Sequence, residues 1–289
     1  MNKLGIISGL IAASIWGGMY VVSKVVLEVI PPFTLVTLRL ILGILTLGII
    51  VILQGGLGFH LRDWLNVLGV GIVGYGISLG LQFIGTKLSN ASNGALITSA
   101  TPAFVLIFAF WIMKEPLTWR SIIALGISTL GVLIVLDPAN ARLSSDFFWG
   151  NLSLVGAAIT WALYSVLVRK VTRQLKLLPV SFVAFIGGLF ITVPASVGEW
   201  NSIEFNSINL GVILGILYLG IISTALAMYL WNYAFANLEA NLASLTLFAQ
   251  PLVGAGLGAW LLGEKLTPLF YGGGILIALG IWIAVKKNP

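Results

Sequence analysis

Apolar runs long enough to cross a lipid bilayer follow one another through this sequence of 289 residues. A membrane-spanning helix needs about 20 mostly apolar residues. Short breaks of prolines, glycines and charges separate the runs, and none leaves room for a soluble domain. We therefore predict an all-α integral membrane protein with ten transmembrane helices. The predicted spans are residues 4–29, 33–54, 64–85, 91–113, 119–136, 149–170, 177–198, 208–235, 240–262 and 268–286.

The composition excludes a soluble fold. Hydrophobic residues make up 59% of the chain and charged residues only 8%, whereas about 25% of a soluble domain is charged. The net charge of +6 is spread over the breaks between apolar runs, which indicates topology signals and no nucleic-acid partner. The absence of cysteine excludes disulfides and thiolate metal sites. We expect no cofactor and no metal.

One stretch occurs twice in the chain. Residues 102–118 and 251–267 align at a shift of 149 positions, and each starts with proline and ends in Glu-x-Leu-Thr. The first run has an internal copy too, because Trp16 matches Trp161 at a shift of 145. An internal copy cannot be a signal peptide, so we expect the first run to be structural. A repeated unit of this length indicates a fold built by doubling.

The doubling divides the chain into five helices used twice, residues 1–138 and 139–289. Because five is odd, the second half must enter the membrane from the opposite side, which gives two inverted repeats. Positive residues test the orientation. With the N-terminus inside, the inner side holds Lys3, Arg62, Lys114, Arg120, Arg169, Lys170, Arg173, Lys176, Lys286 and Lys287. The outer side holds Lys24, Arg39, Lys87, Arg142 and Lys265. This bias predicts that both termini are cytoplasmic.

The two halves resemble the EamA-type transporters of the drug/metabolite transporter superfamily. The resemblance rests on a tryptophan in the first helix of each half and on the ending P-x(12)-E-x-L-T in each, and it covers the whole chain. More narrowly, the sequence resembles the YddG-type bacterial exporters of aromatic and related amino acids. The resemblance implies a multi-pass carrier of the bacterial inner (plasma) membrane with a central cavity between the halves. Helices 1, 3, 4, 6, 8 and 9 would line that cavity.

Polar and aromatic side chains that share helix faces are the candidates for the cavity wall. The predicted substrate-binding residues are Trp16, Tyr20, Tyr75, Ser78, Gln82, Ser99, Trp161, Tyr164, Ser165, Tyr229, Asn232, Phe248 and Gln250. An amide inside a membrane helix needs a hydrogen-bond partner, which is either a neighbouring helix or the contents of a cavity. Pro102 and Pro251 break their helices and are predicted hinges, with kinks that serve shape alone as the alternative.

A cavity of aromatic, hydroxyl and amide groups suits a moderately apolar substrate. Aromatic rings can contact another ring or an ammonium group, while amides and hydroxyls can bind a carboxylate. We therefore predict a secondary transporter that exports small metabolites, chiefly aromatic and other neutral amino acids, by alternating access. Its expected partners are a small-molecule substrate and the lipid bilayer. A monomer is one possible assembly, and the oligomeric state stays open.

Charges are placed away from the middle of the predicted spans. A proton-coupled carrier needs a titratable group within reach of both sides, and without one we expect a gradient-driven uniport. The alternative is a proton-coupled exporter of drugs or other metabolites. A sugar-phosphate or nucleotide-sugar carrier is less favoured, because Lys24 and Arg39 are read as shallow, with Arg39 snorkelling outward. Lys24 can pair with Glu28.

No catalytic residue is predicted. The chain has a single histidine, His60, in a loop, and no cysteine, which argues against a membrane enzyme. Glu115 and its repeat mate Glu264 are predicted to cap the helix that follows each of them. A gating role is the alternative for these glutamates.

Overall fold

The computed structural model describes residues 2–56, 58–89, 94, 97–136, 147–203, 205–262 and 268–285. These residues contain helices and no strands. The main helices are α1 (Lys3–Val26), α2 (Pro32–Leu53), α3 (Leu61–Leu88), α4 (Thr101–Met113), α5 (Trp119–Leu136), α6 (Phe148–Thr172), α7 (Leu177–Val197), α8 (Leu210–Asn237), α9 (Ala240–Leu245), α10 (Ala249–Leu262) and α11 (Pro268–Val285). Within this part of the chain, six helices are long and apolar enough to cross a membrane, namely α1, α2, α3, α6, α7 and α8.

Both halves interrupt their helices at related places. The backbone turns at residues 99–100 just before α4, in which Pro102 is the second residue. In the second half, a 3₁₀ turn at Thr246–Phe248 separates α9 from α10, and Pro251 follows in the first turn of α10. Proline tolerates the first turn of a helix because the N–H it lacks would be unsatisfied there. The predicted breaks beside the two prolines are therefore present.

The third helix of each half carries a second irregularity that the sequence analysis did not predict. Helix α3 contains a π-helical segment at Ile72–Ser78, and α8 contains one at Tyr218–Leu226. Such segments are uncommon and often lie near functional sites. Each faces a helix of the other half, since α7 packs on the π segment of α3 and α2 packs on that of α8.

The packing between the halves is mirrored. Helix α1 packs against α8 and α10 of the other half, and its repeat mate α6 packs against α3 and α4. Helices α2 and α7 pack against each other, and α5 packs along α11. Large apolar side chains such as Leu45, Ile49 and Ile52 stay exposed on the outside of the bundle, as expected of a surface that faces lipid.

Helix ends are capped by side chains, in part differently from the prediction. Thr118 caps α5, because its Oγ1 accepts a hydrogen bond from the Ser121 amide at 3.1 Å. Glu115 does not cap the helix that follows it, which is α5. Its Oε2 accepts from the amide of Ala240, the first residue of α9, at 2.9 Å. The cap from Glu115 therefore joins the two halves, while Glu264 lies outside the described residues.

Candidate functional site

A cavity lies between the two halves. Five of the predicted substrate-binding residues line it, namely Trp16, Ser78, Gln82, Trp161 and Gln250. The rest of the wall is formed by Met19, Leu79, Thr98, Thr101, Ala157, Ala158, Met228 and Leu247. These residues come from α1, α3, α6, α8, the 3₁₀ turn before α10, α10, the start of α4 and, for Thr98, the segment just before the break that precedes α4. The space therefore belongs to the interface and to neither half alone.

Three tryptophans meet at the cavity wall. The ring centroids of Trp16 and Trp161 are 5.6 Å apart in an edge-to-face arrangement, a favoured geometry for aromatic pairs. Trp231 of α8 lies 5.3 Å from Trp16 and 6.3 Å from Trp161. Trp231 was not among the predicted residues, because α3 has no tryptophan at the matching position. Its place on α8, next to the predicted Asn232, was the only available signal.

Hydrogen bonds hold the tryptophans in place. The Nε1 of Trp16 donates to the backbone carbonyl of Ser223 at 3.0 Å. That carbonyl lies in the π-helical segment of α8, where the regular hydrogen-bond ladder changes. The Nε1 of Trp231 donates to Ser165 Oγ at 3.0 Å. The predicted residue Ser165 therefore does not line the cavity but accepts a hydrogen bond from one of its tryptophans.

A buried polar network lies one helical turn beyond the cavity. The hydroxyls of Tyr75 and Tyr164 share a hydrogen bond. Tyr164 also donates to Asn232 Oδ1 at 2.8 Å, and Asn232 Nδ2 donates to Ser181 Oγ at 3.0 Å and to Tyr75 at 3.3 Å. The amide of Asn232 thus finds its partners on neighbouring helices. Tyr75, Tyr164 and Asn232 are fully buried and form the layer behind the wall.

Three further predicted residues, Ser99, Tyr229 and Phe248, do not line the cavity. Ser99 is buried at the break before α4, and Tyr229 is half-buried on α8. Phe248 packs in a separate apolar cluster with residues of α5 and α11. Tyr20 belongs to α1, but its side chain lies outside the described part of the chain. A substrate-binding role for these four residues stays a prediction.

Arg39 does not snorkel outward, and that prediction is wrong. Its side chain is completely buried, and its guanidinium is held by hydroxyls of α8. The Nε donates to Thr224 Oγ1 at 3.0 Å and the Nη2 to Ser223 Oγ at 3.4 Å. The carbon at the centre of the guanidinium lies 4.8 Å from the ring centroid of Phe83. These partners face inward, so the arginine is drawn into the protein interior.

An ion pair closes the bundle below the polar network. Arg169 Nε donates to Glu115 Oε1 at 2.8 Å, and Arg169 Nη1 donates to the carbonyls of Phe235, at 2.9 Å, and Leu238. Together with the bond from Ala240 to Glu115, this ties the ends of α4 and α6 to the turn between α8 and α9. It is the single ion pair within the described residues. The pairing of Lys24 with Glu28 that we expected is therefore absent.

Helix α6 places these layers in order. Trp161 lines the cavity, Tyr164 and Ser165 belong to the layer behind it, and Arg169 forms the ion pair. At 1.5 Å per residue, the path from cavity to ion pair is about 12 Å long. A small-molecule cavity between two helical halves, closed on one side by successive layers, is the arrangement of a membrane transporter.

Comparison with known proteins identifies the family. The sequence pattern of the EamA-like transporter family matches residues 3–137 and matches again over residues 148–286. The chain therefore belongs to the EamA-like transporter family, and it is a multi-pass membrane protein. The double match agrees with the doubling seen in the sequence.

Similar proteins carry the same general designation. An uncharacterized transporter of Archaeoglobus fulgidus is 24% identical over 280 residues, covering 95% of this chain and 94% of that protein. The uncharacterized transporter YcxC of Bacillus subtilis is 24% identical over 283 residues, with 95% and 90% covered. The uncharacterized inner membrane transporter YedA of Escherichia coli is 25% identical over 272 residues, with 92% and 84% covered.

A solved crystal structure has the same fold. It superposes with a TM-score of 0.79 at 19% sequence identity and covers 99% of this chain and 97% of that chain. The family and the relatives identify a transporter and give no sign of an enzyme.

Proposed function

We propose that the protein is a secondary transporter that exports small metabolites, chiefly aromatic and other neutral amino acids, by alternating access. The observation that carries this proposal is the cavity between the halves, where Trp16 and Trp161 meet from repeat-related helices. On this proposal, the protein is similar in function to the YddG-type exporters.

The chemistry of the wall favours an aromatic zwitterion. The indoles of Trp16 and Trp161 can contact a substrate ring at its edge or face and can receive an ammonium group over a ring. Gln82, Gln250 and Ser78 bring amide and hydroxyl groups to the same space, and these can bind a carboxylate. Of the described residues that line the cavity, none is charged.

The proposed topology has ten spans in two inverted halves, residues 1–138 and 139–289, with both termini in the cytoplasm of a bacterial cell. Arg39 is buried and no longer counts toward the outer surface, which leaves four positive residues outside against ten inside. On this orientation, the ion pair of Arg169 with Glu115 lies on the cytoplasmic side of the cavity. Pro102 and Pro251 are the proposed hinges.

We further propose gradient-driven uniport. No acidic side chain lines the cavity within the described residues, and buried Glu115 is engaged by Arg169 and by the Ala240 amide. A proton carrier would need a titratable group that both sides can reach. The competing candidate is a proton-coupled exporter of drugs or other metabolites, in which case Glu115 would have to change partners during transport.

Counterflow in proteoliposomes tests both parts of the proposal. Vesicles loaded with unlabelled phenylalanine, tryptophan or leucine should accumulate the labelled compound equally with and without a pH gradient. Trp16→Phe should raise the KM about tenfold because the indole contacts are lost. Trp111→Phe is the matched control, since Trp111 is exposed on the outside of α4, and it should leave KM unchanged.

Two results would overturn the proposal. If no aromatic or branched-chain amino acid exchanges, the substrate class is wrong. If exchange requires a pH gradient, the carrier is proton-coupled and the uniport mechanism is wrong. An equal loss in Trp16→Phe and Trp111→Phe would remove Trp16 from the binding site.

A further inference from the structure

Arg39 is a cation in the interior of the bundle that the transport mechanism proposed above does not use. It lies seven residues after Pro32, the first residue of α2, and therefore about 10 Å along the helix from its start. None of its side chain is exposed. An arginine in such a position is costly and marks a functional site unless a nearby charge compensates it.

The partners of Arg39 are neutral. The hydroxyls of Ser223 and Thr224 accept its hydrogen bonds, and the ring of Phe83 lies against its flat face. Its Nη1 has no hydrogen-bond partner among the residues that the structure describes. Within the same residues, the single ion pair is Arg169–Glu115 at the end of α6. The charge of Arg39 is thus held by dipoles and by a ring, and no carboxylate of the described residues pairs with it.

The cation is connected to the cavity wall through its contacts on α8 and α3. Ser223, whose hydroxyl accepts from Arg39, uses its backbone carbonyl to hold the indole of Trp16. Phe83 follows Gln82 on α3, and Gln82 lines the cavity. Two residues, Ser223 and Trp16, therefore link the guanidinium to the cavity on one side, and Phe83 with its chain neighbour Gln82 links them on the other. Over that distance in a poorly polarisable interior, a single charge changes the potential in the cavity substantially.

We propose that Arg39 gives the cavity a positive potential, which selects substrates with a carboxylate or another anionic group and excludes organic cations. This inference rests on the transporter function proposed above and adds the charge class of the substrate. An amino acid would place its carboxylate toward Gln82, on the side of the cavity nearer Arg39, and its ammonium group over an indole face. The amine formed by removing that carboxylate would bring only a positive charge and would be rejected, because like charges repel and no carboxylate offsets Arg39.

The first test needs no knowledge of the substrate. The chain contains no cysteine, so Gln82→Cys places a single thiol in the cavity wall, and Ser202→Cys places one in the exposed loop after α7. Each is reacted with methanethiosulfonate reagents that carry either a sulfonate or a trimethylammonium group. The ratio of the two rates reports the local potential and cancels differences in thiol reactivity.

We expect the sulfonate to be favoured at position 82 about fivefold more than at position 202. Arg39→Gln should abolish this preference, whereas Arg39→Lys, which keeps the charge, should retain it. Arg62→Gln is the control for net charge, because Arg62 is exposed at the start of α3. A ratio at position 82 equal to that at 202 in the otherwise unchanged protein overturns the proposal, so the test does not depend on the folding of Arg39→Gln.

The second test uses three ligands with one ring. Indolepropionate, tryptophan and tryptamine are added as competitors of the counterflow of a labelled amino acid. Their inhibition is compared between the unchanged protein and Arg39→Gln. The unchanged protein should accept the acid and the zwitterion at least tenfold better than the amine, and Arg39→Gln should reduce that ratio severalfold. Preference for tryptamine would overturn the charge selection while leaving the aromatic substrate in place. If none of the three competes but the sulfonate preference stands, the aromatic substrate is wrong and the charge selection holds.

Discussion

Asn232 shows how a single polar side chain can be accommodated in the centre of an apolar bundle. Its amide accepts a hydrogen bond from Tyr164 and donates to Ser181 and Tyr75, so both ends are satisfied. Three helices, α3, α6 and α7, supply these partners to α8. Since an unpartnered amide in this environment would cost several kcal/mol, the network fixes the relative positions of the four helices.

Asn232→Leu should therefore destabilise the protein by about 2 kcal/mol, because it leaves the hydroxyls of Tyr164 and Ser181 without their partner. Asn237→Leu is the matched control on the same helix. Asn237 is exposed and hydrogen-bonds Asn2 at the surface, so its substitution should change stability by less than about 0.5 kcal/mol. Unfolding in mixed micelles, followed by circular dichroism during SDS titration, measures both. Equal losses in the two variants would contradict the structural role of the network.

For single residues, the sequence predicted the environment of a side chain correctly where the chemistry of that side chain alone determines it. An amide inside the bundle was expected to meet either a neighbouring helix or a cavity: Asn232 bonds to neighbouring helices, whereas Gln82 and Gln250 line the cavity. The prediction failed for Arg39, because distance along α2 suggested a route to the surface. The hydroxyls of Ser223 and Thr224, which retain the arginine inside, come from a helix about 185 residues away in sequence.

At the scale of elements, the closest contacts between the halves are made by glycines. Gly71 at the end of the regular part of α3 faces the backbone of α7, where a Cβ added to Gly71 would lie 2.7 Å from the Cα of Ala184. From the other side, a Cβ on Gly187 of α7 would lie 3.0 Å from the Cα of Leu68. In membranes such small residues let helix backbones approach closely, and here they bring α7 against the π-helical segment of α3.

Gly71→Ala should separate α3 from α7 and destabilise the protein by about 2 kcal/mol, since backbone atoms must move to admit the methyl group. Gly69→Ala, two residues earlier, is its control. A Cβ at Gly69 would meet nothing within 4 Å, so the change should be neutral or should stabilise α3 by up to about 1 kcal/mol. The same SDS titration measures the unfolding free energy of both variants. A harmless Gly71→Ala would show that the helices are not held by this contact.

The positions of most helices were predictable, because the length of an apolar run sets the length of a span. The predicted runs 119–136 and 177–198 differ by at most one residue from α5 and α7. The π-helical segments were not predictable. Their residues, such as those of Ile72–Ser78, have ordinary helical composition, and the altered hydrogen bonding depends on contacts with α7 and α6 that a local pattern does not contain.

In the whole molecule, the two halves that are related in sequence also pack in related ways. Helix α1 contacts α8 and α10, as α6 contacts α3 and α4, and the family pattern matches each half separately. The inverted orientation of the halves stays a prediction. The structure also shows an asymmetry that could not be read from the repeat. On one side of the cavity a polar network and then an ion pair separate it from the face of the bundle.

That ion pair would have to open if substrate is to leave the cavity toward the same face. Glu115 joins α4 to Arg169 of α6 and to the start of α9, so all three must separate together. Thr246, which follows α9 in the chain and precedes the cavity residue Leu247, is fully buried. Because the chain has no cysteine, Thr246→Cys provides a single thiol that reports the opening.

Glu115→Gln should raise the rate at which a small maleimide, added on that side, labels Thr246→Cys by about tenfold. The amide keeps a hydrogen bond to Ala240 but loses the charge interaction with Arg169, and a coupling of about 1–3 kcal/mol shifts a two-state equilibrium to this extent. Glu239→Gln removes the same charge from the exposed neighbour of Ala240 and should leave the rate unchanged. If both variants label alike, Glu115 caps a helix and does not gate the cavity, because only a gate responds to the loss of the ion pair itself.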